Sequence, residues 1–266
     1  MTGHSHRTLD FRQLKNPAIR DAEFSTFRSS PLKIVDCEDR DRLHWARSRL
    51  NSVLEHEPDN LKTLVEIKRG ESACVEGQVA DALILIRRGL VKLSLVSVEG
   101  TQSAAQIIGA GECFGEECAC EGQPHYGETA IAVTPTHLAK IARKHILKKL
   151  DESHFAKLYI SAVVHRVHEY EDLLAQRALE ASEQRLRRVL ARLTKFGNWQ
   201  NGNMVVVPRI THATLSEIVG TTRSRITLFM GRLAKRGVIL NAGPGLVIDS
   251  QRLLRELFNG SRKHEL

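Results

Sequence analysis

A chain of 266 residues is long enough for two ordinary domains and a connector, and its formal net charge of +8 is unevenly placed. From Ala175 to the end there are 16 Lys and Arg against 6 Asp and Glu, with 23 against 25 before it, so a polyanionic partner is expected of the C-terminal third, where neutralised phosphates release counterions. There is no run of about 18 apolar residues and no apolar leader with a small-residue cleavage site, and Cys37, Cys74, Cys113, Cys118 and Cys120 are too few and too irregular for a secreted disulfide framework. A cytoplasmic protein with most of its thiols reduced is therefore expected, rather than one crossing a membrane by an apolar helix or built on disulfides.

Residues 1–35 are polar and without a sustained period, and they read as an N-terminal extension. From Asp36 to Glu57, Leu43, Ala46, Leu50, Val53 and Leu54 recur at helical spacing before Pro58, which predicts a short helix packed on the domain that follows. Between Leu61 and Ala142, short apolar runs such as Leu83 to Ile86 and Val91 to Val96 alternate with Gly70, Gly77, Gly89, Gly100, Gly109, Gly111 and Gly115. Turn signals at that spacing predict an antiparallel β-roll over residues 36–144. From Lys144 the period becomes helical. Ile160, Val163, Val167, Tyr170 and Leu174 advance by alternate steps of three and four, a short coiled-coil seam on a helix spanning 145–181. His165, Arg166, His168, Glu169 and Glu171 flank that seam and read as solvated. Either the helix packs only on its own β domain or it pairs with a second copy, and the seam favours a homodimer.

Ala181 and Ser182 interrupt the helix, and Ser182, Glu183 and Gln184 suit a new helix start with Leu186, Val189, Leu190 and Leu193 inward. The final domain, 182–260, contains a strand at Met204 to Val207 and then two helices. Leu215, Ile218 and Val219 face inward on the first. Gly220 allows a reversal, and Thr221 or Thr222 caps a second helix whose inward face is Ile226, Phe229, Met230 and Leu233. Gly237 to Leu240, a turn at Asn241 to Gly245, and Leu246 to Ile248 complete a β-hairpin, so the motif is a winged helix. Leu253, Leu254, Leu257 and Phe258 predict a closing helix, with Ser261 onward frayed. The second helix begins with Arg223, Ser224 and Arg225, which present guanidinium groups, a hydroxyl and backbone amides suited to a major groove. A packed helix pair with a merely solvated basic face is the bland alternative.

An α+β chain with an N-terminal β-roll, a long dimerisation helix and a C-terminal winged helix-turn-helix resembles the Crp/Fnr family of bacterial transcription regulators. The resemblance covers roughly residues 60–258. It rests on Arg69, Gly70 and Glu71, on Glu76 and Gly77, on Arg88 to Lys92, on Gly111 to Glu116, and on Val219 to Arg225, taken in order. It implies double-stranded DNA with a palindromic operator, a homodimer and RNA polymerase as partners.

In relatives that bind cyclic nucleotides, a Gly-Glu pair meets the ribose and an Arg-Ser/Thr pair holds the phosphate. Gly115 and Glu116 match the first pair, and Thr129 matches the second hydroxyl, but Glu128 occupies the arginine position. A carboxylate there removes a bidentate contact and adds repulsion of about 4 kcal/mol at a separation of about 4 Å. Cyclic AMP is therefore not expected as cofactor, and Glu116 reads as a structural remnant. His125 reads as a solvated loop residue.

The resemblance places Arg223 at a guanine-reading position, whereas Ser224 and Leu228 stand where relatives carry glutamate and arginine, so a different operator is expected. Thr222, Arg225 and Thr227, with Arg209 and Thr211 at the entrance, are candidates for phosphate or groove-wall contacts. Some relatives sense oxygen through clustered cysteines. Cys113, Cys118 and Cys120 lack a Cys-x2-Cys pair, so no metal site is expected, though a cysteine-based redox or metal-sensing regulator of the same fold remains the alternative. A winged-helix protein-interaction module is a second alternative. No nucleophile elbow, phosphate loop or paired metal motif supports an enzyme.

Overall fold

The computed structural model describes residues 47–96, 102–200, 202–242 and 245–261. The extension 1–35, Cys37, Leu43, Ala46, Gly100 and the fraying expected beyond Ser261 lie outside the described residues, apart from Ser261 itself, which closes the last helix.

The first described element is a helix over residues 47–55 (α1). Eight strands follow: Lys62–Ile67 (β1), Ser72–Cys74 (β2), Ala82–Arg88 (β3), Leu90–Val96 (β4), Gln102–Gly109 (β5), Cys113–Phe114 (β6), Thr129–Ala132 (β7) and Thr136–Ala142 (β8). They form two antiparallel sheets, ordered β1-β8-β3-β6 and β2-β7-β4-β5, around one core, which is the expected β-roll. In β3, Ala82 to Ile86 are buried without alternation. A strand buried on both faces has no solvent side for polar residues to occupy, and the fully buried Leu50 and Leu54 of α1 belong to the same core. Each of those leucines contributes about 1.5–3 kcal/mol of burial.

Helices Arg143–Leu150 (α2) and Ser153–Leu179 (α3) leave the roll, and α3 is the long helix anticipated from the seam. Phe155, Leu158, Tyr159 and Ala162 anchor its first turns in the core. Glu180 and Ala181 are extended, which ends α3, and Ser182–Thr194 (α4) begins with Ala181 at its cap and no side-chain capping bond. The C-terminal unit comprises Asn198–Trp199 (β9), Met204–Pro208 (β10), His212–Val219 (α5), Arg223–Lys235 (α6), Ile239–Ala242 (β11), Gly245–Asp249 (β12) and Ser250–Ser261 (α7). Its sheet order is β11-β12-β10-β9. The wing turn is shorter than the sequence predicts, because Asn241 pairs with Leu246 and Ala242 with Gly245, extending the ladder. The two-residue β9 is too brief to leave a periodic signal.

The winged helix does not hang free of the roll. Leu90, Ile107 and Val133 of the roll share one apolar cluster with Leu186, Leu190 and Leu193 of α4 and with the helix-turn-helix interior. A Cβ on Gly109 would lie 2.5 Å from the Phe196 ring, so the glycine permits close approach of the two domains. Lys92 on β4 pairs with Glu217 on α5 across the same junction.

Candidate nucleic-acid interface and effector cavity

The reading head is built by two caps and one glycine. Thr211 Oγ1 accepts from Thr214 N at 3.1 Å and starts α5, while Thr222 Oγ1 accepts from Arg225 N at 3.3 Å and starts α6. Between them Gly220, at φ 67°, ends α5 in the left-handed region, where a side chain would be strained. Ile226, Phe229 and Leu233 hold α6 against the domain interior. Its first turns expose Arg223, Ser224, Arg225, Thr227 and Leu228, and Thr211, Thr222 and Arg209 are exposed alongside. The structure thus brings all eight residues singled out for DNA contact to one end of the winged helix.

Arg209, Arg223 and Arg225 make no ion pair with a described residue, whereas Arg232 pairs with Glu183 at 3.0 Å and Arg236 with Glu256 at 2.8 Å. Three guanidinium groups without an ion pair to a described residue thus gather around the start of α6. His212, overlooked in the sequence, sits here too: its Nδ1 lies 2.9 Å from Thr227 Oγ1. Burial, then Arg223 and Arg209, pushes its pKa down, so the neutral imidazole is favoured at the centre of this basic cluster. Thr227 Oγ1 also donates to Arg223 O at 3.1 Å, which ties its hydroxyl inward.

The second site is a cavity of about 860 Å³ between the roll and α3. Gly115 and Glu116 open its floor. Gly115 has φ 86°, and a Cβ there would lie 2.9 Å from the Tyr126 ring and 3.0 Å from Ala82 O. Glu116 Oε1 accepts from Arg166 at 2.8 Å; the same guanidinium donates to Gln106 Oε1 at 3.1 Å and to Cys113 O. Tyr170 donates to Glu128 Oε2 at 2.7 Å, and Gly127 N donates to Glu117 Oε1 at 3.1 Å. Thr129 is buried, its Oγ1 accepting from Glu76 N at 3.0 Å. His125 is exposed.

Four positions on α3 correct the sequence reading. His165 and Arg166 are buried rather than solvated, and Glu169 is largely buried: Gln106 of β5 and Cys113 of β6 meet Arg166, while Arg47 of α1 and Arg192 of α4 meet Glu169. Tyr170 departs from the expected seam by turning its hydroxyl to the cassette. Ile160, Val163, Val167 and Leu174 do stay exposed, with Val164 beside them. Arg166 left no sequence signal as a cassette residue, since its partner Glu116 lies fifty positions away.

Cys113 and Cys118 are buried in the roll's core, where burial pushes both thiols up to about 12, and Cys74 is raised to about 11 for the same reason. Cys120 is exposed. Among the described residues no group of three or more His, Cys, Asp and Glu side chains could hold a metal ion.

A β-roll carrying a nucleotide-type cassette, joined by a long helix to a winged helix with an arginine tip, defines a ligand-domain transcription regulator. Residues 64–153 match the cyclic nucleotide-binding domain family and residues 184–257 the Crp-like helix-turn-helix domain family. The chain is 24% identical over 194 residues to the CRP-like cAMP-activated global transcriptional regulator of Mycobacterium tuberculosis, covering 72% of this chain and 86% of that protein. It is 26% identical, with the same coverage, to the cyclic AMP receptor protein of Thermus thermophilus. The fold is also that of FixK2 from Bradyrhizobium japonicum, with a TM-score of 0.64 at 16% identity over 72% of this chain and 95% of that one. The chain belongs to the Crp/Fnr family: it is a DNA-binding transcription regulator, not an enzyme.

Proposed function

We propose that the protein acts as a homodimer that reads a palindromic operator, with residues 182–260 as the reading domain and residues 36–144 as the sensor. The observation that carries this reading is the pairing of an uncompensated arginine tip on α6 with an exposed apolar row on α3, where Ile160 is 62%, Val167 50% and Leu174 67% exposed. A second copy of the helix would cover that row and set two α6 tips about one DNA turn apart. Arg223 is read as the base-contacting residue, Leu228 and Ser224 as the source of an operator unlike those of relatives, and Arg209, Thr211, Thr222, Arg225 and Thr227 as phosphate or groove-wall contacts. RNA polymerase is the proposed further partner and the cytoplasm the proposed location; no helix among the described residues is long and apolar enough to cross a membrane.

Cyclic AMP is not the proposed effector, although the names of two relatives carry it. Glu128 stands at the phosphate position, Thr129 already serves Glu76, and Arg166 is committed to Glu116. No metal cluster is proposed, since the thiols of Cys113 and Cys118 are core groups.

Selection of bound fragments from random DNA, paired with sedimentation of the full chain, tests the reading. The expected outcome is a two-fold symmetric site bound by a dimer. A monomer indifferent to base order at moderate salt overturns it.

A further inference from the structure

The cavity beside α3 is large for a remnant, and its chemistry runs opposite to that of a phosphate site. In the single chain its walls are apolar, formed by Leu93, Leu95 and Phe114 from the roll and by Ile160, Val163 and Leu174 from α3; the last three belong also to the row assigned to the second copy, so in the proposed dimer the partner helix would roof the cavity. Its polar groups are dominated by three carboxylates, Glu116, Glu117 and Glu128, each with one oxygen engaged as described above. Among the described residues, the second oxygen of each accepts no hydrogen bond. Two cations also line the cavity. Arg166 is buried, with both terminal nitrogens donating to Gln106, Cys113 and Glu116, and Arg177 is exposed on the last turn of α3. An anion entering this space would meet an excess of carboxylate with its nearest guanidinium already neutralised. An ammonium would meet unspent acceptors in a partly desolvated pocket, where charge-assisted bonds are strongest.

We infer that this cavity takes a small apolar molecule carrying a cationic amine, with the ring or chain against Leu93, Phe114 and Val163 and the ammonium against Glu128 and Glu117. The inference rests on the reading of the roll as the sensor domain and names the class of ligand that it senses. Charge complementarity selects the occupant: the volume of about 860 Å³ accommodates a bicyclic or larger apolar body, and the carboxylates choose its head group. Burial raises the pKa of Glu128. A bound ammonium acts in the opposite direction and holds that carboxylate ionised.

The test uses the full-length protein and three probes with the same ring, 1-naphthylmethylamine, 1-naphthalenemethanol and 1-naphthoate, titrated by calorimetry near neutral pH. The amine is expected to bind at least about ten-fold more tightly than the alcohol, with the carboxylate weakest. Glu128→Gln keeps an acceptor for Tyr170 and should weaken the amine about ten-fold while leaving the alcohol within about two-fold. Glu117→Gln provides the same comparison in a background that keeps the Glu128–Tyr170 bond. Naphthoate or cyclic AMP binding as tightly as the amine, absence of an amine isotherm at about 1 mM, or amine affinity unchanged in both variants would overturn the inference. Filter binding of operator against random DNA by the same preparation, without probe, reports separately on the regulator reading. Loss of sequence preference there sinks that reading whatever order the three probes show.

Discussion

Two arginines only two residues apart in sequence illustrate what a single side chain decides. Arg223 opens α6 and Arg225 follows it, both exposed and without a described ion-pair partner. Helical geometry separates their directions by about 200°, so the two cannot make the same kind of contact. Arg223→Ala is expected to cost about 1–3 kcal/mol on the cognate operator and to relax preference at one base position. Arg225→Ala is expected to weaken every sequence alike and to reduce the salt slope by about one unit. Titrations on cognate and random duplexes at several salt concentrations check both, and equal losses on the two DNAs for both variants would reverse the assignment. His212 had no visible role in the sequence because its importance is spatial: it meets Thr227 fifteen positions later, between two arginines.

At the scale of elements, the junction between the roll, α3 and α4 is electrostatic as well as apolar. Arg47 of α1 pairs with Glu169 of α3 and approaches Glu112 at 3.6 Å, while Arg192 of α4 reaches Glu169 at 3.1 Å, Glu112 at 3.3 Å and Ile107 O at 2.7 Å. Burial alone would raise both glutamates. The arginines outweigh it, Arg192 chiefly for Glu112 and Arg47 chiefly for Glu169, so Glu112 is held below and Glu169 well below the ordinary carboxylate range. A carboxyl whose folded pKa is depressed contributes stability that is present above its unfolded value of about 4.3 and is lost as pH falls through the folded value. Chemical denaturation below about pH 4.3 should therefore show a falling midpoint, and Arg192→Ala should flatten that fall. The same variant leaves two buried glutamates sharing one arginine and is expected to cost about 3–5 kcal/mol near neutral pH. A loss smaller than about 1 kcal/mol would mean that the network is screened by solvent rather than buried.

For the whole molecule, the row Ile160, Val163, Val167 and Leu174 is the proposed source of two-fold symmetry. Replacing Ile160 and Leu174 by glutamate changes no residue of either apolar core cluster, since both are exposed in the isolated chain. Each protomer should fold with an unaltered circular-dichroism spectrum, sediment as a monomer, and lose operator preference while keeping residual salt-sensitive DNA affinity. A double variant that stays dimeric would place the pairing surface elsewhere.

Periodicity and turn chemistry determined much of this protein by themselves. The long helix, the helix-turn-helix with its Thr222 cap and Gly220 reversal, and the wing each depend on contacts within a few residues, which a linear pattern records, and the β-roll announced its short strands and turns though not their pairing, since β1 joins β8 and β2 joins β7 across the domain. Gly115, Glu116 and Glu128 were legible as cassette positions only through the resemblance to the Crp/Fnr family, which also implied the exchange of a phosphate-binding arginine for a carboxylate. What surrounds them was not. The burial of Arg166 and Glu169, the turning of Tyr170 to Glu128, the seating of the winged helix on Leu90 and Ile107, and the resulting cavity join residues tens of positions apart. A helix that looks half solvated as a sequence acquires a second buried face only when a sheet from elsewhere in the chain closes over it, and that closure is decided by three-dimensional packing alone.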